Sequence, residues 1–182
     1  MSIEKIYQSI LKTTGAYRQK LERFNPADFQ LEPPIGGWSY SEVYSHIFDA
    51  SLLSLMALNN CSTEEGKERP TAFLVKVILF FGSLPPGKKY KAPSKIAVRV
   101  KKISITAAQQ FMTDFELQLA HSFPKMKNAD PKMKTKHPVI GYLNTKQWLR
   151  FIEIHLNHHY KQLKRIENSF KLSTNYTDIA EK

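Results

Sequence analysis

The chain has 182 residues, 42% hydrophobic and 12% aromatic, with a net charge of +11. This is enough for one globular domain with its own core and short for two, and no apolar run reaches the roughly 18 residues of a membrane span. The single cysteine, Cys61, excludes an internal disulfide and a thiolate metal cage, and it agrees with a reducing compartment.

The N-terminus "MSIEKIYQSILK" lacks a basic leader, an apolar run and a cleavage site, which places the protein in the cytoplasm. It reads directly as a helix over 2–24. Ser2 caps it, and Ile3, Ile6, Ile10, Tyr17 and Leu21 recur at helical spacing before Asn25-Pro26 ends it. The stretch "ADFQLEPPIGGWS" is irregular. Ser39 with Glu42 three positions on forms a capping box for a second helix over 40–60, apolar on nearly every side and therefore central. A short apolar helix is expected near 71–82. Thr106 caps a third long helix that stops before Pro124, and Thr145 caps a last one over about 146–170. The tail 173–182 has no apolar period and reads as loose, leaving 1–172 as a single domain. The only strand-like alternation is "KIAVRVKK". Four long amphipathic helices predict an all-α four-helix bundle with a short extra helix and a long basic loop.

The positive charge is concentrated. "PPGKKYKAPSKIAVRVKKISI" carries seven basic residues and no acid, and "HSFPKMKNADPKMKTKH" carries five lysines and one aspartate. Between them these two connecting segments hold the whole net excess, so the helical framework is neutral. They read as solvated loops or as a rim that attracts an acidic ligand. With no repeated aromatic platform and no nucleic-acid motif, they do not point to DNA or RNA.

Three of the six histidines crowd into "EIHLNHHYKQL". On a helical wheel Trp148, Ile152, His155, His159, Leu163 and Ile166 share one stripe, while His158 lies toward its edge. An i, i+4 histidine pair brings two imidazoles to a common point, as in zinc-binding helices. Two buried histidines that do not share a metal each need their own partner, because an unpaired buried nitrogen costs about 1–3 kcal/mol. His121 and His137 fall at a helix end and in a lysine-rich loop. His46 lies mid-helix on a face with Val43, Ala50 and Ala57, whose small side chains admit close approach of another helix. His46, His155 and His159 would offer three neutral nitrogen ligands with a position left open, the form of a catalytic site. Zn²⁺, Ni²⁺ and Fe²⁺ all suit imidazole.

"GGWSYSEVYSHIFDA" resembles the W-S-x-x-[EQ]-x-x-x-H segment of the DinB/YfiT-like metal-binding superfamily. "HPVIGYLNTKQWLRFIEIHLNHHYKQLKRI" resembles its C-terminal signature, H-P-x-x-G-x-L-[ST]-x-x-x-W followed by H-x-x-x-H-x-x-Q. The resemblance implies a four-helix bundle in up-down-down-up order. It also implies a divalent site formed by His46, His155 and His159, with Gln162 as a hydrogen-bond partner to a ligand and Trp38 and Trp148 in packing roles. His158 matches a variable position. The apolar segment near 71–82 and the long basic loop depart from common members.

Members with known chemistry are bacillithiol transferases and mycothiol-dependent isomerases. The resemblance therefore implies transfer of a low-molecular-weight thiol to an electrophile. A metal-dependent hydrolase and a non-catalytic metal-binding module are the alternatives. Glu42 and Asp49 flank His46 by one turn, but no catalytic base can be assigned. Small helical bundles often form homodimers, so a homodimer is a candidate assembly.

Overall fold

A computed structural model of the chain describes residues 1–83 and 98–180, with side chains described through 173. Helix α1 spans Ile3–Leu21, and the Ser2 hydroxyl accepts from the Lys5 amide. A short helix α2, Pro26–Gln30, lies in the stretch expected to be irregular, where Pro26 sits at the helix start behind Asn25 as cap. Helix α3, Tyr40–Asn60, opens with the expected Ser39–Glu42 capping box. Helix α4 spans Phe73–Phe81, as expected for the short apolar segment. Helix α5 spans Ile105–Met126 and α6 spans Thr145–Ala180.

Pairwise contacts fix the order of the four long helices. Thr13 meets Asn157 and Lys20 meets Glu167, so α1 and α6 run parallel. Ser41 bonds the Ile103 carbonyl just before α5, and Asn59 bonds Ser122 near its end, so α3 and α5 are parallel. Arg18 meets Glu116 while Tyr7 stacks on Phe123, which makes α1 and α5 antiparallel. His46 faces His155 while Tyr40 faces Phe170, which makes α3 and α6 antiparallel. The order is therefore up-down-down-up. The first two long helices, α1 and α3, sit across the diagonal and meet in the core, where the Tyr17 hydroxyl donates to the Leu156 carbonyl and the Tyr44 hydroxyl to the Tyr17 carbonyl. A parallel α3–α5 pair demands a long crossover, and the chain between Asn60 and Ile105 is long enough for one.

Several boundaries differ from expectation. The cap of α5 is Ser104, not Thr106, and the helix passes through Pro124. Proline removes one helical hydrogen bond. Tertiary contacts hold the last turn around it: Phe123 stacks on Tyr7 at 3.9 Å, Ser122 bonds Asn59, and Met126 is buried. Helix α6 continues past 170 and through the stretch read as a loose tail, to Ala180. The strand-like "KIAVRVKK" lies partly outside the described residues, and its described part, 98–102, forms no strand. The first basic segment is outside the described residues over 85–97. The second contains a strand instead of a loop.

That strand is β2, Met133–His137, paired antiparallel with β1, Lys67–Glu68, and with β3, Gly141–Asn144. Its buried residue is Thr135, whose hydroxyl donates to the Ala57 carbonyl at 2.7 Å and accepts from the Trp148 indole at 2.8 Å. The space beside Ala57 thus admits a strand, not the expected helix.

The cap of α6 is Asn144, not Thr145. Asn144 Oδ1 accepts from the Gln147 amide and Gln147 Oε1 accepts from the Asn144 amide, both at 3.0 Å, while the Thr145 hydroxyl is buried without a partner among the described residues. Asn144→Ala is expected to lower stability by about 1 kcal/mol, and Thr145→Ala by less. Urea denaturation of the two variants checks the order.

Candidate metal centre

The site is assembled by α3 and α6. Gly36 and Gly37 take positive φ values of 71° and 87°, a conformation costly for residues with a Cβ. The chain thereby turns so that Trp38, just before the cap of α3, lies 4.9 Å from the His46 ring and stacks at 6.3 Å over His159. His46 is buried on α3. His155 and His159 project from the stripe of α6 that the wheel assigned to the core, His159 buried and His155 half-buried.

The three rings converge. Centroids are 5.2 Å apart for His46–His155, 4.7 Å for His46–His159 and 4.6 Å for His155–His159. Candidate ligand nitrogens of all three lie within 4.8 Å of one another. Nε2 of His155 and Nε2 of His159 are 3.0 Å apart. Two nitrogens bound at about 2.0–2.1 Å to one ion, at roughly right angles, would be separated by about 3 Å. The donor set is therefore compatible with a divalent ion, and no thiolate or carboxylate belongs to it.

Gln162 stands where the motif put it. Its Oε1 accepts from Nδ1 of His159 at 2.8 Å, because an amide oxygen can only accept. That bond places the His159 proton on Nδ1 and leaves Nε2 with a lone pair for a metal. Phe151 stacks on His155 at 5.4 Å, and Trp38 closes the other side. His158 lies beside the cluster with its ring 5.0 Å from His159, and it is not among the three converging ligands. His121 is exposed on α5, away from the site.

The nearby carboxylates are engaged elsewhere. Glu42 belongs to the capping box, and Arg99 clamps both oxygens of Asp49 at 2.6 and 2.7 Å. Glu153, buried on α6, pairs with Arg150, which also donates to the Leu79 carbonyl and so ties α4 to the bundle.

Burial disfavours the charged imidazolium. It holds His46 at about 4 and His159 at about 3, against an ordinary 6.5, and pushes His155 well down, helped by its neighbour His159. As the pH falls, the unfolded chain takes up protons first. The stability due to these neutral rings is therefore whole above 6.5 and is lost as pH drops through that value toward 4 and 3. Metal-free protein is expected to keep a constant Tm above the ordinary histidine value and to lose it progressively below. Thermal melts across a pH series check this.

One residue set aside on the sequence belongs beside the site. His137 packs on Trp148 at 5.3 Å and on Phe151 at 4.7 Å. The signal was present twice: His137 and Pro138 open the H-P-x-x-G-x-L segment of the family signature, and alternation in "MKTKH" puts Thr135 and His137 on one face. The lysines on the other face made it read as a loop.

A family model of the DinB superfamily matches residues 10–163. The chain belongs to the DinB superfamily. No functionally curated protein matches it. Among solved structures this DinB protein is similar to YfiT from Bacillus subtilis, a probable metal-dependent hydrolase with an unusual four-helix bundle topology. The identity is 14% and the TM-score 0.60, over 97% of this chain and 90% of that one. It is similar to TT2238, a four-helix bundle protein, at 17% identity and TM-score 0.51, over 90% and 99%. It also resembles a mycothiol-dependent maleylpyruvate isomerase at 13% identity and TM-score 0.58, over 88% of this chain but only 60% of that one. At identities this low the likeness shows the fold alone. No described helix is long and apolar enough to cross a membrane.

Proposed function

We propose that this DinB protein is a metal-dependent enzyme that transfers a low-molecular-weight thiol to a small electrophile, with His46, His155 and His159 as the ligands of one divalent ion. Zn²⁺, Ni²⁺ and Fe²⁺ all suit the imidazole set. The observation that carries the reading is the pairing of three uncharged ligands with carboxylates that are all otherwise engaged. A bound ion supplies an undiminished double positive charge, which favours the thiolate form of a thiol at neutral pH. Hydrolysis needs a general base to activate water. A thiolate brings its own nucleophile, so the engagement of Glu42, Asp49 and Glu153 favours thiol transfer.

The protein's own side chains have distinct tasks. Gln162 holds the tautomer of His159. Trp38 and Phe151 line the cluster with apolar surface that excludes water and accepts an apolar electrophile. The thiol sulfur attacks the electrophilic carbon, the new S–C bond forms as the leaving group departs, and the thiol proton passes to solvent. Similarity to a mycothiol-dependent isomerase supports the thiol.

The test incubates metal-loaded protein with bacillithiol, glutathione or coenzyme A and 1-chloro-2,4-dinitrobenzene, with His155→Ala as control. Adduct formation well above the control supports the proposal. Cleavage of an ester or amide panel with no thiol adduct would replace it with the hydrolase reading, which similarity to YfiT supports. Inactivity in both would favour a non-catalytic metal-binding module.

A further inference from the structure

We propose that His137 is a substrate-orienting residue whose Nε2–H binds a carboxylate on the electrophile, an inference that rests on the thiol-transfer reading of the neighbouring cluster. The argument begins with the β2 alternation. Thr135 is buried against α3 and α6, and His137, two residues on, lies on the same face. Lys134 and Lys136 point the other way. Gly141, with φ of 85°, opens β3 after a turn in which the Val139 and Ile140 amides face the imidazole.

Those amides donate to Nδ1 of His137 at 3.1 and 3.2 Å. Nδ1 is therefore an acceptor, and the ring hydrogen of the neutral imidazole sits on Nε2. Nε2 makes no hydrogen bond with the described residues. Among the described residues, the polar side-chain atoms sealed from solvent without a partner are Ser51 Oγ and Thr145 Oγ1, so Nε2 is not one of them. It is an open donor of fixed tautomer.

The position of that donor gives it meaning. Trp148, Phe151, His155 and His159 follow one another at helical spacing along α6. His137 rests on the first two of these rings, and the Phe151 ring lies between His137 and His155. An aromatic or planar substrate lying along Phe151 would meet the histidine cluster at one end and His137 at the other. A fixed N–H donor selects an acceptor group. The net charge of +11 makes an anionic acceptor the favoured kind. Burial holds the His137 ring at about 4, so it stays neutral and the donor persists at physiological pH.

His137 also stabilises the hairpin through Nδ1, and the test must separate the two roles. His137→Asn keeps an acceptor oxygen near the Nδ1 position and removes the Nε2–H. His137→Gln puts an amide N–H near the Nε2 position. Transfer is measured to 4-(chloromethyl)benzoate and to benzyl chloride, which differ only by the carboxylate. His137→Asn is expected to raise KM for the carboxylate substrate about tenfold, with a much smaller change in kcat, and to erase the preference over benzyl chloride. His137→Gln is expected to recover most of it, with equal metal content and Tm in both variants. Calorimetric binding of unreactive 4-methylbenzoate to the metal-loaded protein reads the same contact without turnover, and the same tenfold loss and recovery are expected. If transfer proceeds but neither readout distinguishes His137→Asn from wild type, the inference is overturned and the thiol-transfer reading stands. If no thiol is transferred but 4-methylbenzoate binding follows the variants, the carboxylate site stands and the reaction does not. Wild-type protein that neither binds 4-methylbenzoate nor prefers the carboxylate substrate overturns the inference outright.

Discussion

His159→Ala protein is expected to purify without divalent metal, as are His46→Ala and His155→Ala, while His158→Ala retains a full complement. The reason is convergence: the nitrogens of the first three lie within 4.8 Å of one another, and His158 is outside that set. Loss of an outer hydrogen-bond partner typically weakens a metal site about 10–100-fold. Gln162→Ala should fall in that range, and loss of a ligand should exceed it. Metal analysis after dialysis against a weak chelator ranks the five variants. Far-UV circular dichroism should be nearly identical across the set. The tyrosine, phenylalanine and aliphatic core between α1, α3, α5 and α6 forms without the site. A His158→Ala protein that loses metal, beside a His155→Ala protein that keeps it, would reverse the helical register on which the centre is built.

The second large effect is on stability. Trp148→Ala should destabilise the protein by about 3–5 kcal/mol, the usual range for deleting a large buried aromatic. Trp148 is 2% exposed. Its indole N–H donates to Thr135, which in turn donates to Ala57, so one side chain links α6, β2 and α3. Trp148→Phe keeps most of the buried area and loses only the indole bond, so about 1 kcal/mol is expected. Equilibrium urea unfolding of both variants reads the difference. Equal losses in the two would mean that the hydrogen bond, not the packing, dominates at this position.

The histidine site was legible because its spacing is local. His155 and His159 are one turn apart on one helix, and the helix period alone puts them on one face. The capping box at Ser39 was legible for the same reason, since a cap reads only residues three apart. Asn144 was passed over for Thr145 although both are cap formers. Which of two adjacent residues caps a helix depends on the direction from which the chain enters, and β3 sets that direction. Pro124 was read as a stop because proline is costly in an isolated helix. Tyr7, Asn59 and a buried Met126 outweigh that cost.

The β2–β3 hairpin illustrates the limit most clearly. Of the five residues of β2, only Thr135 is buried, and three of its neighbours there are lysine or histidine. No hydrophobic alternation announces such a strand. It is held by one hydroxyl shared between Trp148 and Ala57, by pairing with the distant β1 and by pairing with β3, which follows it directly. His137 depends on that hairpin for its place beside Phe151.

By itself the sequence determined the helical periods, the concentration of positive charge in two segments, and the common face of His155 and His159, to which the family signature joined His46. These follow from side-chain chemistry read over a few turns. Only the tertiary structure decided which histidine nitrogen is free, how the carboxylates are engaged, and that His137 stands one ring away from the cluster. Those properties depend on contacts between residues far apart in the chain, and local spacing carries no information about them.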